Sequence, residues 1–126
     1  MSPQQELFTT LITSMRNEGL SVYDGVLPPD GTPYPFVYMA DVNQSDSFTK
    51  SSIGGRLSVT INVWHDDYNK RGDFSKVVEN VIEICRNIHD VSNKFYYKSA
   101  NQQFMNDSSV TPPLMRAIVA VDFIFV

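Results

Sequence analysis

The stretch Arg56-Leu57-Ser58-Val59-Thr60-Ile61-Asn62-Val63-Trp64 decides the fold class of this chain. Apolar side chains alternate along it with small polar ones, and this period of two predicts a strand with one buried face. Residues 36–42, which precede it, are also rich in strand-forming residues. We therefore expect residues 36–42 and 56–64 to form a hairpin.

The segment that joins these two strands, residues 43–55, is rich in Ser, Asn and Gly. It has little to bury except Phe48 and Ile53, so we expect its tip to be mobile in the isolated protein. We interpret Gly54-Gly55 as part of the turn. Binding residues concentrate in mobile loops, so the tip is a candidate docking element.

Two amphipathic helices flank the hairpin. The first is predicted to follow Ser2, a good helix cap, and to end at Gly19, which favours a left-handed stop. The second is predicted to follow its cap Asp73 and to run to about His89. Its apolar residues share one face, which predicts packing on a sheet. They are Phe74, Val77, Val78, Val81, Ile82, Ile84, Cys85 and Ile88.

The remaining segments complete the predicted sheet. Val22 and Tyr23 can form a short strand before a Pro-rich loop. Residues 94–105 mix aromatic residues with Gln and Asn, which favours an edge strand. Residues 114–126 are almost continuously apolar, which favours a central strand. The order predicts an α+β fold, a mostly antiparallel sheet of about four to five strands with two helices packed on one face.

Composition limits the classes of function. A chain of 126 residues with 42% hydrophobic residues suits one domain, residues 1–126. The net charge of -4 gives no basic field for tight nucleic-acid binding. The one cysteine, Cys85, excludes an internal disulfide. No segment resembles a signal peptide or a membrane span, so we expect a soluble protein made in the cytoplasm.

The candidate chemical groups are few. His65-Asp66-Asp67 is the densest set of possible metal ligands, but an isolated set is more often structural. His89 and Cys85 lie on the apolar face of the second helix, where a thiol lacks the electropositive surroundings that activate it. No P-loop or nucleophile elbow is present. We therefore expect no enzymatic activity, no metal site and no cofactor.

Two surfaces leave alternatives open. The aromatic residues 95–97, between Lys94 and Lys98, suit base stacking, although in an acidic chain an edge strand is the favoured interpretation. The polar face of residues 56–64 carries only Ser58, Thr60 and Asn62 between its ends. Such a neutral face suits a subunit contact, the lining of a channel or an ordinary solvent-facing surface.

A set of short motifs follows the N-terminal helix: Val22-Tyr23-Asp24, Tyr34-Pro35-Phe36-Val37, Val63-Trp64-His65, Arg71-Gly72 and the late strand at residues 116–125. Together they resemble the tail terminator proteins, also called tail completion proteins, of long-tailed bacteriophages. The resemblance covers nearly the whole chain. Residues 92–113 match no part of the pattern.

The resemblance implies a structural virion protein that caps the tail tube as a hexameric ring. Such a ring stops tube polymerisation and provides the joint to the head or neck. The implied partners are further copies of the chain, the tail tube protein and head or neck connector proteins, while DNA passes through the lumen without specific binding. The implied location is the head-proximal end of the tail, after synthesis in the bacterial host cytoplasm, without a membrane partner.

Under this resemblance the candidate interface residues lie at the hairpin tip and on the polar strand face. They are Phe48, Lys50, Ile53, Ser58, Thr60, Asn62 and Trp64. Phe48 and Ile53 can instead fold back on their own sheet, and Trp64 can belong to the core. The alternative functions are a head-closure or neck protein, a small ligand-binding domain and a nucleic-acid-binding module.

Overall fold

The computed structural model describes residues 2–26, 28–29, 31–48, 53–109 and 113–126, with the backbone alone at residues 46–48, 53 and 68. Within these ranges the helices are α1 (Pro3–Asn17), α2 (Arg71–Arg86) and α3 (Ile88–Val91). The strands are β1 (Val22–Asp24), β2 (Phe36–Phe48), β3 (Ile53–His65), β4 (Phe95–Asp107) and β5 (Leu114–Phe125). A short 3-10 helix, Tyr68–Lys70, leads into α2.

The described strands form one sheet in the order β1-β2-β3-β5-β4. β1 runs parallel to β2, and every other pair of neighbours is antiparallel. β5 lies inside the sheet, as its apolar sequence predicted, and β4 lies at an edge. The predicted α+β fold with a mostly antiparallel sheet is confirmed.

The core lies between one face of the sheet and the two long helices. Alternate residues of β3 and β5 point into it, because successive side chains of a strand face opposite sides. α1 and α2 cover this face with their apolar stripes, which the helical spacing predicted. The buried set includes Leu7, Leu11, Met15, Leu57, Val59, Ile61, Val63, Phe74, Val78, Val81, Cys85, Val119, Val121 and Phe123. Each large side chain buried in this way contributes about 1.5–3 kcal/mol.

The ends of α1 follow the sequence signals. Ser2 Oγ accepts a hydrogen bond from the backbone N–H of Gln5 at 3.3 Å, which caps the first turn. Gly19 follows the helix with a φ of 85°, a left-handed conformation that glycine adopts without steric cost. The chain therefore turns back at Gly19 and enters β1.

The predicted N-cap of α2, Asp73, was wrong by three residues. The helix begins at Arg71, and Lys70 occupies the N-cap position without a side-chain hydrogen bond. Asp73 lies instead in the first turn, where its charge still favours the helix N-terminus. The displacement arises from the preceding 3-10 helix, in which Asp67 accepts from the backbone N–H of Asn69 at 2.9 Å. The helix predicted to run to about His89 is interrupted at Asn87: α2 ends at Arg86, and His89 lies in α3.

The hairpin is longer than the sequence predicted. β2 continues to Phe48 and β3 begins at Ile53, so most of the expected loop at residues 43–55 is strand. Gly54 and Gly55 belong to β3 and not to the turn. Residues 49–52, including the candidate Lys50, lie outside the described residues. The mobility of the tip therefore stays a prediction.

Gly55 lies where the hairpin passes closest to its neighbours. It pairs with Asp46 of β2 and with Phe125 of β5. A Cβ atom at this position would collide with the carbonyl oxygen of Ser45 and with the ring of Phe125. The missing side chain therefore allows three strands to meet at this level of the sheet.

Candidate assembly surface

The face of the sheet opposite the helices, here called the open face, is set by strand alternation. Because Leu57, Val59 and Ile61 point into the core, the residues that alternate with them along β3 point to the open face. In β3 these residues are Arg56, Ser58, Thr60, Asn62 and Trp64. The polar residues that the alternation grouped together thus lie on one surface with Trp64.

Asp122 of β5 anchors the middle of the open face. It is the register partner of Ser58, whose Oγ donates to Asp122 Oδ1 at 2.6 Å. Ser99 Oγ of β4 donates to Asp122 Oδ2 at 3.5 Å. Hydrogen bonds to an ionised carboxylate are among the stronger ones in proteins. Ser58 therefore joins strands β3 and β5 and keeps the Asp122 charge in place.

Arg116 holds the end of the open face near Trp64. Its Nε donates to Asn62 Oδ1 at 3.0 Å, and its guanidinium carbon lies 4.8 Å from the centre of the Trp64 ring. This position over an aromatic face stabilises the cation. Asn62 is only 3% exposed, so its amide serves Arg116 and presents little surface to a partner.

Trp64 also forms one wall of a cleft of about 540 Å³ at the same end of the sheet. Its indole Nε1 is buried and has no hydrogen-bond partner in the described part of the chain. The ring of Phe36 lies 5.1 Å from that of Tyr34, and both line the cleft together with Trp64. The lining residues are Pro28, Pro29, Gly31, Thr32, Pro33, Tyr34, Phe36, Trp64, Asp66, Asp107 and Leu114.

The carboxylate of Asp107 at the rim of this cleft is held in its ionised form. The hydroxyl and backbone N–H of Ser109 donate to Oδ1 at 2.5 Å and 3.0 Å. These bonds, with a smaller contribution from the charge of Arg116, hold the pKa of Asp107 below its usual value. In the described ranges no group of three His, Cys, Asp or Glu side chains is placed to hold a metal ion.

The two histidines make local contacts. His65 is 3% exposed, and its Nδ1 accepts from the backbone N–H of Asp67 at 3.1 Å. His89 Nδ1 lies 3.0 Å from the carbonyl oxygen of Phe95 and therefore donates to it. The His89 ring also stacks on Tyr96 at 4.2 Å. Each imidazole thus supports the chain around it.

Cys85 lies at the centre of the core with no exposed surface. Burial disfavours the thiolate and raises the pKa of the thiol to about 12. A nucleophilic cysteine needs the thiolate form near neutral pH. Cys85 therefore serves as a small packing residue.

The hairpin tip extends past the end of β5. β3 pairs with β5 only as far as Gly55, whereas the hairpin continues through the pair Phe48 and Ile53. The side chains of these two residues and the whole of Lys50 lie outside the described part of the chain. The candidate residues therefore form two groups, the tip (Phe48, Lys50 and Ile53) and the open face (Ser58, Thr60, Asn62 and Trp64).

Inspection of the sequence missed the contribution of β5 to the open face. Arg116 and Asp122 lie in a segment that is otherwise almost continuously apolar, and no surface was predicted from them. Their spacing contains part of the signal, because Arg116 and Asp122 are six residues apart and residues an even number apart in a strand share a face. The pairing with Asn62 and Ser58 required the register of β3 and β5, which the sequence does not contain.

No helix in the described ranges is long and apolar enough to span a bilayer. No protein-family model matches the chain, and comparison with curated protein sequences gives no match. Among solved structures, the fold is similar to that of a chain in the virion of a native gene transfer agent (GTA) particle. The match has a TM-score of 0.54 at 16% identity and covers 98% of this chain and 93% of that chain. At this identity it shows a shared fold.

Proposed function

We propose that this protein is a structural virion component that caps a phage tail tube as a ring, stops tube polymerisation and joins the tail to the head or neck. The observation that carries the proposal is the fold shared with a virion chain over nearly the whole of both chains. The motif set at Val22-Tyr23-Asp24, Val63-Trp64-His65 and Arg71-Gly72 independently resembles tail terminators. The role is assembly and not catalysis.

The open face suits the lining of a channel that DNA crosses. Its β3 residues between Arg56 and Trp64 are small and uncharged, and the Arg116 cation is already bound by Asn62 and Trp64. A surface gains affinity for DNA by neutralising phosphates and releasing counterions. Such a face, in a chain of net charge -4, gives little of that gain and lets DNA slide past.

The hairpin tip suits docking to a second protein. Since Phe48 and Ile53 lie beyond the end of β5, the tip can contact a neighbour without disturbing the core. Segments that become ordered on binding are common at regulated contacts. We assign the tip to the contact with the tail tube or the neck.

The deciding experiment removes the gene and scores tail length and head attachment together by electron microscopy. We expect headless tails of excessive, variable length, because an uncapped tube continues to polymerise. Complementation with the intact gene is the control and should restore length and attachment. Tails that keep normal length and remain joined to heads would overturn the proposal.

The alternative within the same class is a head-closure or neck protein. It would also form a ring with a lumen for DNA, so the open face suits it equally. The gene deletion separates the two roles, because loss of a neck protein leaves tails of normal length beside unattached or leaking heads. Intact particles would favour a ligand-binding domain, for which the cleft beside Trp64 is the candidate site.

A further inference from the structure

The cleft beside Trp64 lies at one end of the sheet, and the hairpin tip lies at the other. The register pair Phe36 and Trp64 is at the cleft end, whereas Phe48 and Ile53 are the last described pair at the tip end. β2 spans 13 residues between these ends, which corresponds to roughly 40 Å. A segment that binds the tip is therefore remote from the cleft, which stays free for another partner.

Prolines and aromatic rings form the walls of the cleft. They are Pro28, Pro29, Pro33, Tyr34, Phe36 and Trp64. The Phe36 ring lies 5.1 Å from that of Tyr34, and Phe36 pairs with Trp64 in the β2–β3 register. Proline and aromatic side chains lose little conformational entropy when a ligand covers them. Aromatic-lined grooves are also the sites at which several peptide-binding domains hold extended, proline-rich segments. The walls therefore suit an extended apolar segment.

Two carboxylates line the same cleft, and the described lining contains no basic side chain. The side chain of Asp66 is 50% exposed. His65 Nδ1 lies 3.6 Å from Asp66 Oδ1, but it accepts from the backbone N–H of Asp67 and so donates nothing to that carboxylate. Asp107 Oδ1 accepts twice from Ser109, whereas Oδ2 receives no hydrogen bond from the described part of the chain. Both carboxylates are therefore available to a positively charged ligand.

Arginine matches these groups better than lysine does. Its planar guanidinium binds a carboxylate through two parallel hydrogen bonds and also stacks on aromatic rings. The chain contains an example beside the cleft, since the Arg116 guanidinium lies 4.8 Å from the centre of the Trp64 ring and donates to Asn62. Arg116 is not a lining residue, and its charge lowers the pKa of Asp107 less than the hydrogen bonds from Ser109 do. With two carboxylates against this one cation, the cleft still attracts a positive group.

We propose that the cleft beside Trp64 binds an extended segment of a neighbouring virion protein that carries an arginine flanked by prolines. The guanidinium meets the carboxylates of Asp66 and Asp107, and the prolines pack on the aromatic walls. A proline-rich segment is extended before it binds, so the association costs little conformational entropy. This inference rests on the proposed function, since it gives each subunit a second partner at the end opposite the tip. A nucleic acid is disfavoured by its negative charge.

The test uses the fluorescence of Trp64, which is the only tryptophan of the chain and therefore reports on the cleft. The probe is a blocked Pro-Pro-Arg-Pro-Pro peptide, titrated into the purified protein, with Pro-Pro-Gln-Pro-Pro as the matched peptide. We expect a saturable change in emission with the arginine peptide, and binding of the glutamine peptide that is weaker by about fivefold or more. Added salt should reduce this difference, because it screens the charges.

Removal of the two cleft charges gives the matching test on the protein. Asp66→Asn/Asp107→Asn should bind the arginine peptide more weakly, by about fivefold or more, and should keep its affinity for the glutamine peptide. Asp90→Asn, at an exposed position of α3, is the control and should bind both peptides like the original protein. In phage that carry the double variant the yield of intact particles should fall, while Asp90→Asn should leave it unchanged. The three proteins should have similar melting temperatures.

The absence of a saturable change with the arginine peptide, or equal affinities for the two peptides, would overturn the proposal. Free arginine amide that binds as tightly as the peptide would also overturn it, because the site would then be one for a small cation. An original yield of intact particles from Asp66→Asn/Asp107→Asn would do the same, since no virion partner would then need the cleft. A gene deletion without phenotype would instead remove the proposed function and would leave the peptide titration unaffected.

Discussion

At Gly55 the fold depends on the absence of a side chain. The position lies in a strand between β2 and β5, and its neighbours are a backbone oxygen and an aromatic ring. A backbone oxygen in a paired strand can move only if the hydrogen-bonded strands around it move as well. The constraint at Gly55 is therefore one of space, whereas at Gly19, Gly25 and Gly31 it is the positive φ.

We expect Gly55→Ala to lower the free energy of unfolding by roughly 1–3 kcal/mol, because the added methyl group must displace Ser45 or Phe125. Gly72→Ala is the control, since a Cβ at Gly72 meets nothing within 4 Å and Ala is the better helix former. Urea denaturation of both variants measures the difference. A Gly55→Ala variant as stable as the original would show that the sheet adjusts there freely.

Cys85 gives a prediction about alkaline pH. Burial raises its pKa from 9.0 to about 12, so the unfolded chain releases the thiol proton at a lower pH than the folded chain. The contribution of the protonated Cys85 thiol to the free energy of unfolding is therefore complete below pH 9.0 and is lost as the pH rises towards 12. The loss at pH 10 should be about 1.4 kcal/mol relative to pH 8.

The measurement compares urea denaturation at pH 8 and pH 10 for the original protein and for Cys85→Ala. The variant is less stable at both values, because it leaves a small cavity. The stability of Cys85→Ala should nevertheless decrease less between pH 8 and pH 10 than that of the original protein. Lysines and tyrosines titrate in both proteins, and only the thiol differs. Equal decreases would show that the thiol titrates normally in the folded state.

Among the elements, the packing faces of the two long helices were predicted most completely and the bounds of the hairpin least. The apolar stripe of α2 repeats over four turns, so the face that packs was evident from the sequence. Residues 43–47 contain no such repeat, because they are mostly small polar residues. Their strand conformation comes from pairing with β3, which is itself held by β5. Long-range pairing of this kind is not visible in the local sequence.

The hairpin tip is the element on which docking depends. We expect the double variant Phe48→Ala/Lys50→Glu to keep its melting temperature and to lose tail attachment, because the pair Phe48 and Ile53 lies past the end of β5. Thermal denaturation and electron microscopy of complemented lysates measure the two effects. Lys70→Glu/Val26→Ala, a charge reversal and an apolar truncation at exposed positions elsewhere, is the control. Normal attachment in the tip variant would remove the tip from the interface.

For the whole molecule, the sequence predicted the helix and sheet layers and which of the last two strands is central and which lies at the edge. The contacts between side chains on the open face could be seen only in the structure. Alternation grouped Ser58, Thr60 and Asn62 correctly on one face. It did not predict that Asn62 is buried against Arg116, because that contact joins strands 54 residues apart in the chain. The cleft beside Trp64 was missed for the same reason, since its walls come from four separate segments. A face can be predicted from one strand, but a site needs the register of several.

The order of the strands also affects how the protein is made. In the chain β4 comes before β5, but in the sheet β5 lies between β3 and β4. As the polypeptide leaves the ribosome, β4 therefore emerges before β5, the strand with which it pairs. The edge of β3 that pairs with β5 also stays open until β5 follows. Pairing between strands that are far apart in the chain forms slowly, and until it forms the unpaired strand edges can bind other chains. Newly made chains are thus most prone to associate wrongly just before β5 is released.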